Sequence, residues 1–390
     1  MPTHLAPLVP LTWALRAAGH EVLVACQPDV VATARRAGLC VAVVGDAYDD
    51  VGRRRREGQP VGAGPDAVPD AAPGPSKAAG SPPWPKLARK WRERIDQVLD
   101  PCTDVARRWR PDLIVADPLE FAAPLVAGEL GIDYVHHRWG VDALGDERWQ
   151  YAERALSDVS GARLSGGLPQ PSLVLDPCPP GLQAPDLSRG AGIRFVPFNG
   201  SGSRPAPAPR RGTRVCVCFG TRTVALGGAD VVRRTLRALA GPGAPEEVVV
   251  AGAGAELGEL PDGVRLLGSV PLHLFLSECS LVVHHGGAGT TLTSTAFGLP
   301  QLVLPQAPYL VEHGQRLSDR GAGVLLGAGE QGTEEIRGAV ADLLSHPGPG
   351  LAARELAEEM AAMPSPGSWV TPLKELVGRG GRGGRGGRAG

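Results

Sequence analysis

Apolar positions along this chain fall into two alternating series of helix-like and strand-like segments. In the first series Leu8 to Ala18 carries helical spacing and stops at Gly19, and Glu21 to Ala25 reads as a strand. Val30 to Ala37 predicts a helix closed by Gly38, and Leu39 to Val44 the next strand. Trp84 to Trp109 has the pattern of one long amphipathic helix or two. A short buried strand follows at Asp112 to Asp117, then a helix from Leu119 to Leu130 and a strand from Ile132 to His137. The second series places strands at Arg214–Phe219, Glu247–Ala251, Val264–Leu267, Ser280–Val283 and Leu302–Leu304. Its helices fall at Ala229–Leu239, Leu272–Glu278, Leu292–Phe297 and Glu312–Asp319. Alternation of this kind predicts an α/β fold with parallel sheets covered by helices.

The breaks in the pattern set the domains. Residues 51–85 dissolve into arginine, proline, glycine and alanine and read as a mobile loop inside a first domain, 1–198. Residues 199–212 pass from Gly/Ser to Pro/Ala composition, which cannot build a core, and form a linker. A second domain spans 213–362, and a helix in 363–377 is expected to return to the first. The Arg-Gly-Gly repeats of 378–390 read as a disordered tail. Such repeats can bind RNA, but four arginines without aromatic residues support that weakly. Two domains joined by a linker make a cleft in which a ligand can be held.

Composition removes several classes of function. The chain has 390 residues and a formal net charge of −1, so nothing in its charge points to nucleic acid or an acidic membrane. No apolar run approaches a membrane span, and no signal peptide is evident, so a cytoplasmic protein is expected. The 7 cysteines are scattered, with no C-x-x-C pair, and Cys216 and Cys218 read as small core residues. Arginine outnumbers lysine 36 to 4, the mark of a GC-rich gene, as in an actinobacterium.

The chemistry concentrates at His284-His285-Gly286-Gly287-Ala288-Gly289-Thr290-Thr291. A strand, a glycine-rich turn and a helix start make an anion site, because the free N–H groups and the positive dipole end point at whatever lies above the turn. His285 and Thr290 add side-chain donors, so the run predicts a diphosphate site. A purely structural turn is the competing interpretation.

From Val283 to Leu326 the chain resembles the glycosyltransferases of the UDP-glycosyltransferase superfamily, in the branch that decorates actinomycete natural products. The resemblance is carried by residues 284–291, by Gly-Leu-Pro-Gln-Leu-Val-Leu-Pro-Gln at 298–306 and by Arg-Leu-Ser-Asp-Arg-Gly-Ala-Gly at 316–323. Cys-Phe-Gly-Thr at 218–221, Gly-Ser-Val-Pro-Leu at 268–272 and the stretch His4 to His20 extend it. It implies a GT-B arrangement, two Rossmann-like domains facing a cleft, with the acceptor on the first and a nucleotide sugar on the second. By the same resemblance Thr221, His285, Gly287, Gly289 and Thr290 hold the diphosphate, and Val270 meets the base. Gln306 remains as a sugar or phosphate contact. His4 becomes the general base and Asp117 its partner, with His137 and Trp139 on the acceptor side beside His136. His273 reads as a helix-surface residue. The implied reaction is an inverting transfer of a sugar, without metal or cofactor, from a dTDP- or UDP-sugar to a small natural-product aglycone such as a polyketide. A homodimer is compatible with it; nucleic-acid and membrane partners are not expected.

Two departures from the family pattern stand out. Tyr309-Leu310 occupies the place of an acid–Gln pair that bonds the donor sugar's hydroxyls, which suits a deoxysugar or, alternatively, a silent homologue acting as a binding partner. The chain also opens at Met1-Pro2-Thr3-His4, inside the loop that follows the family's first strand. The first N-terminal strand is therefore expected to be missing, through a late-assigned start or a truncation, leaving both neighbours unpaired. A nucleotide-sugar epimerase would share the fold, but needs more acids and bases in the cleft than can be placed.

Overall fold

The computed structural model describes residues 2–48, 82–204, 212–220, 228–241, 243–252 and 257–383, with side chains as far as 377. The body of the 51–85 loop, residues 205–211 of the linker, Thr221 and the last residues of the chain lie outside the described residues.

The first half opens with two helices, α1 (Pro2–Leu5) and α2 (Val9–Ala17). Strand β1 (Leu23–Cys26), helix α3 (Pro28–Arg36) and strand β2 (Cys40–Val43) follow. Helix α3 shows why these segments are helical. Pro28 sits in its first turn, Asp29 meets the positive end and Arg35 and Arg36 the negative end; Gly38, at φ 72°, ends it. Helix α4 (Trp84–Trp109) is one unbroken element of 26 residues with Pro101 inside it. Its apolar stripe of Trp91, Ile95, Val98 and Leu99 packs on Phe121, Leu125 and Leu156. Strand β3 (Leu113–Ala116), helix α5 (Ala122–Leu130) and strand β4 (Asp133–His137) come next. Helices α6 (Glu147–Ala155) and α7 (Ser157–Arg163), then strands β5 (Leu173–Asp176) and β6 (Ala191–Gly192), complete this half.

The strands of the first half form two sheets. Strands β1 and β2 pair in parallel by themselves, and β3-β4-β5-β6 make a separate parallel sheet. Both β1 and β3 are thus edge strands, and Leu23, Val24, Leu113, Ile114 and Val115 are only half-buried. His4 lies on the short α1 rather than in a loop.

The second half is one six-stranded parallel sheet, ordered β12-β11-β10-β7-β8-β9. Its elements in chain order are β7 (Arg214–Cys218), α8 (Ala229–Ala238), β8 (Glu247–Ala251), β9 (Val264–Gly268), β10 (Leu281–His284), α9 (Ala288–Ala296), β11 (Gln301–Val303), α10 (Val311–Asp319) and β12 (Gly323–Leu325). Helices α11 (Thr333–Ser345) and α12 (Pro347–Ala362) cover it. The central strands β7 and β10 are buried at every position, as a two-sided parallel core requires.

Several expectations are corrected. Residues 272–278 form two single 3₁₀ turns, Leu272–Leu274 and Leu276–Glu278, which suffice to bury Leu272, Phe275 and Leu276 while Glu278 pairs with the buried Arg214. The helix expected from Leu119 starts at Ala122, because residues after Asp117 are spent on a side-chain-bonded turn. The last helix, α13 (Val370–Gly383), runs into the stretch expected as a tail, propagating from the buried Leu373. Leu373 packs with Leu11, Val135, Leu175 and Ile193, so the chain end is held against the first half. The two halves also share a core in which Val141, Cys178, Leu182 and Phe195 meet Leu292, Val303, Leu317 and Met360. Among the described residues no helix is long and apolar enough to cross a membrane.

Candidate active site

Asp117 follows β3 directly, at the carboxyl end of its sheet, where ligands of open parallel sheets bind. Its Oδ1 accepts the Leu119 N–H at 2.9 Å and faces His4 Nδ1 at 3.4 Å. Both expected roles, turn anchor and histidine partner, therefore fall on one carboxylate. Burial pushes this carboxyl up, but His4 beside it, the Leu119 N–H and Arg94 outweigh burial and hold it at about 2. The His4 ring lies against Trp139, centroids 4.5 Å apart and tilted 38°, so its orientation is set from two sides. With Nδ1 turned to Asp117, Nε2 is left for a substrate proton.

His137 is 2% exposed, and its Nδ1 lies 2.6 Å from the Arg138 carbonyl oxygen. Burial lowers it to about 4, against the opposing pull of that carbonyl. Strand alternation sends His136 to the other face, where it lines a cavity of about 380 Å³ with Arg138, Arg148, Trp149, Gln170 and Val174. Trp149 Nε1 and Arg138 Nε are buried there without hydrogen-bond partners.

The glycine-rich run folds as expected: β10 ends at His284, and α9 begins at Ala288. The two histidines divide the work. His284 is fully buried; its Nδ1 accepts the Gly286 N–H at 3.0 Å, so its Nε2 donates to Gln301 Oε1 at 2.9 Å. It buttresses the turn. His285 is half-buried with Nδ1 unpartnered, beside Gly220 and Gly287. Burial lowers it to about 4, with the Cys218 main chain as an opposing partner. Gly286 adopts φ 88°, and a Cβ there would lie 2.6 Å from the Leu310 carbonyl oxygen; one on Gly287 would lie 2.6 Å from His285 Nε2. Gly289 faces open space, with nothing within 4 Å of a Cβ. Gly287, at the N-cap, has no side chain to cap the helix, so the first N–H groups of α9 point out uncapped.

The remaining expected donor residues divide. Thr290 lies at this helix start, where its hydroxyl bonds the Cys218 side chain. Val270 follows β9 and packs against the cluster that contains Cys218 and Val282, so it lies beyond the carboxyl end of the parallel sheet, as the turn after β10 does. Gln306 spends its amide N–H groups inside the protein, on the Leu304 carbonyl at 3.0 Å and on Gln331 at 2.9 Å. Thr221 lies outside the described residues. His273 is half-buried and tied through Asn199 to Thr293.

Trp139 and Gly140 join the two clusters. Trp139 stacks on His4, and Gly140 packs so closely on the start of α9 that a Cβ would sit 2.9 Å from the Ala288 Cβ and 3.5 Å from His313 Nε2. His313, in the first turn of α10, went unrecognised in the sequence. Its ring is 4% exposed, and both nitrogens lack partners. A histidine in a helix's first turn is the one signal the sequence offered. Trp139 and Gly140 thus link the His4–Asp117 pair to the uncapped start of α9, an arrangement that suits transfer of a group from a diphosphate to a hydroxyl.

The family model for the Erythromycin biosynthesis protein CIII-like N-terminal domain matches residues 13–220, and that for the C-terminal domain matches 236–376. The L-demethylnoviosyl transferase of Streptomyces niveus is 33% identical over 375 residues, 93% of this chain and 92% of the relative. The 10-deoxymethynolide desosaminyltransferase of Streptomyces venezuelae is 32% identical, over 96% of this chain and 94% of the relative. Among solved structures, Spinosyn Rhamnosyltransferase SpnG superposes with a TM-score of 0.82 at 36% identity, covering 96% of this chain and 97% of its own. That protein has also been solved complexed with spinosyn aglycone and with thymidine diphosphate.

Proposed function

This chain belongs to the erythromycin biosynthesis protein CIII-like family of GT-B glycosyltransferases, and from that premise we propose its donor, acceptor and catalytic groups. It transfers a deoxysugar from a thymidine diphosphate donor to a hydroxyl of a polyketide-like aglycone, in the making of an antibiotic. One observation carries the reading: Trp139 and Gly140, adjacent in the chain, touch the His4–Asp117 pair on one side and the uncapped start of α9 on the other.

The chemistry follows from that arrangement. His4 Nε2 takes the proton of the acceptor hydroxyl, and Asp117 stabilises the imidazolium that forms. The alkoxide attacks the anomeric carbon from the face opposite the diphosphate, so the configuration inverts. The N–H groups of Ala288, Gly289 and Thr290 and the His285 ring meet the charge that develops on the leaving diphosphate. These groups are hydrogen-bond donors and serve the diphosphate directly, which supports a metal-independent displacement. Tyr309-Leu310, where a carboxylate and amide would bond sugar hydroxyls, favours a sugar with fewer of them. The polyketide-like acceptor and thymidine base rest on the relatives, whose names carry 10-deoxymethynolide, spinosyn aglycone and thymidine diphosphate.

Calorimetric titration tests the donor half. Thymidine diphosphate is expected to bind wild-type protein saturably and more tightly than uridine diphosphate, and the doubly substituted His285→Ala, Thr290→Ala protein is expected to lose it. A folded wild type that binds neither nucleotide would replace this reading with that of a silent homologue.

A further inference from the structure

We propose that His313 is a direct ligand of the outer phosphate of the nucleotide diphosphate, completing from α10 the anion site that α9 begins. The assignment rests on the donor reading above and adds a contact that the glycine-rich run does not contain.

The first ground is an unpaid polar group. His313 is 4% exposed, and neither Nδ1 nor Nε2 has a hydrogen-bond partner. Buried polar atoms in folded proteins are nearly always paired, and each orphan calls for a partner that arrives later or a functional reason. An apolar side chain would fill the same space without that cost. The contrast with His284 is direct: in the same half of the molecule, an equally buried imidazole has both nitrogens engaged, by Gly286 and Gln301.

The second ground is position. The point of a hypothetical Gly140 Cβ is 3.5 Å from His313 Nε2 and 2.9 Å from the Ala288 Cβ, so Gly140 lies against both the ring and the start of α9, which are thereby neighbours. The Leu310 carbonyl, at the entry to α10, lies against Gly286 in the turn itself. Helices α9 and α10 therefore bring both N-terminal ends to the same turn, and His313 stands in the first turn of the second. Gly289 leaves the space over the helix start open.

The third ground is electrostatic. Burial, with His285 adding to it, holds His313 low, at about 4, while Asp142 from the first half opposes this. The free protein thus carries neutral rings at 285 and 313. Each can donate one N–H to a phosphate oxygen without the cost of a buried cation before the ligand arrives. With Thr290 and the α9 N–H groups taken by the inner phosphate, His313, which comes from a second helix entering at the same turn, is assigned to the outer one.

The test compares thymidine diphosphate with thymidine monophosphate on His313→Leu and His313→Asn, by calorimetry and thermal unfolding. His313→Leu is expected to bind the diphosphate about tenfold more weakly, the scale of one hydrogen bond to a charged group, with the monophosphate changed less than twofold. The same substitution should raise the melting temperature of the ligand-free protein, since it removes an unsatisfied buried group, which loss of a structural residue would not do. His313→Asn keeps a donor and should fall between, and it decides the matter if the leucine variant does not fold. Unchanged diphosphate affinity in a folded variant, or equal losses for both nucleotides, overturns the assignment. A wild type that binds neither nucleotide overturns the donor reading itself.

Discussion

Asp117 illustrates how much one side chain carries. Its Oδ1 anchors the turn through Leu119 N–H and faces His4. An Asp117→Asn substitution can keep the first bond but cannot stabilise an imidazolium. Turnover should fall by about 10²- to 10⁴-fold with nucleotide affinity unchanged, measured by initial rates and titration. The same carboxylate contributes to acid stability. Its folded pKa, about 2, lies below the unfolded value of ~3.9, so its contribution, on the order of 2 kcal/mol, is present above pH ~4 and lost as pH falls toward ~2. Chemical denaturation of wild type and Asp117→Asn across that window should show the difference between them shrink; curves that stay parallel would sink the pairing. Residue identities were legible here to different degrees. His4 and Asp117 could be named from motif positions, whereas His313 could not, because what makes it special is Gly140 packing on it from the other half of the molecule. The burial of His137 was not legible for a related reason: its strand position is plain, but its bond to the next carbonyl is not.

The strand–turn–helix of β10 and α9 separates fold from binding within a few residues. Gly286 is a folding residue: alanine there must take φ 88° and meet the Leu310 carbonyl at 2.6 Å, at a cost of about 1–3 kcal/mol. Gly289 is a binding residue only on the donor reading proposed above: alanine meets nothing, gains helix propensity of up to about 1 kcal/mol, and projects a methyl group where phosphate is expected. Gly289→Ala should therefore be as stable as wild type or more so in urea, yet bind thymidine diphosphate more weakly. Retention of full affinity would remove the phosphate from that spot. Strand and helix alternation was legible wherever apolar runs were long enough. Elements such as β5, β6 and β12 were missed because two to four residues carry no period, and they exist only through their neighbours in the sheet.

At the scale of the molecule the halves are unequal. The second rests on a continuous six-stranded sheet with a fully buried centre; the first divides its strands between a pair and a four-stranded sheet, with β1 and β3 as open edges. Hydrogen exchange should reflect this. Amides of β1, β2 and β3 are expected to exchange at least tenfold faster than those of β7 and β10, because edge strands open at lower free energy. Uniform protection would mean that the half-buried strands are held by more than their pairing. The hydrophobic pattern alone gives neither strand order nor which strands lie at an edge, so this division of the first half was not legible in the sequence.

Gly140 has a consequence of another kind. It is a mechanical stop: with no space for even one methyl group between it and Ala288, the backbone of one half bears directly on the other, and the nearest approach of the halves is set by main chain rather than by adaptable side chains. On the proposed reading, the distance from His4 to the start of α9 is thereby machined into the scaffold, while the tolerance for different sugars and aglycones can drift in the pockets on either side.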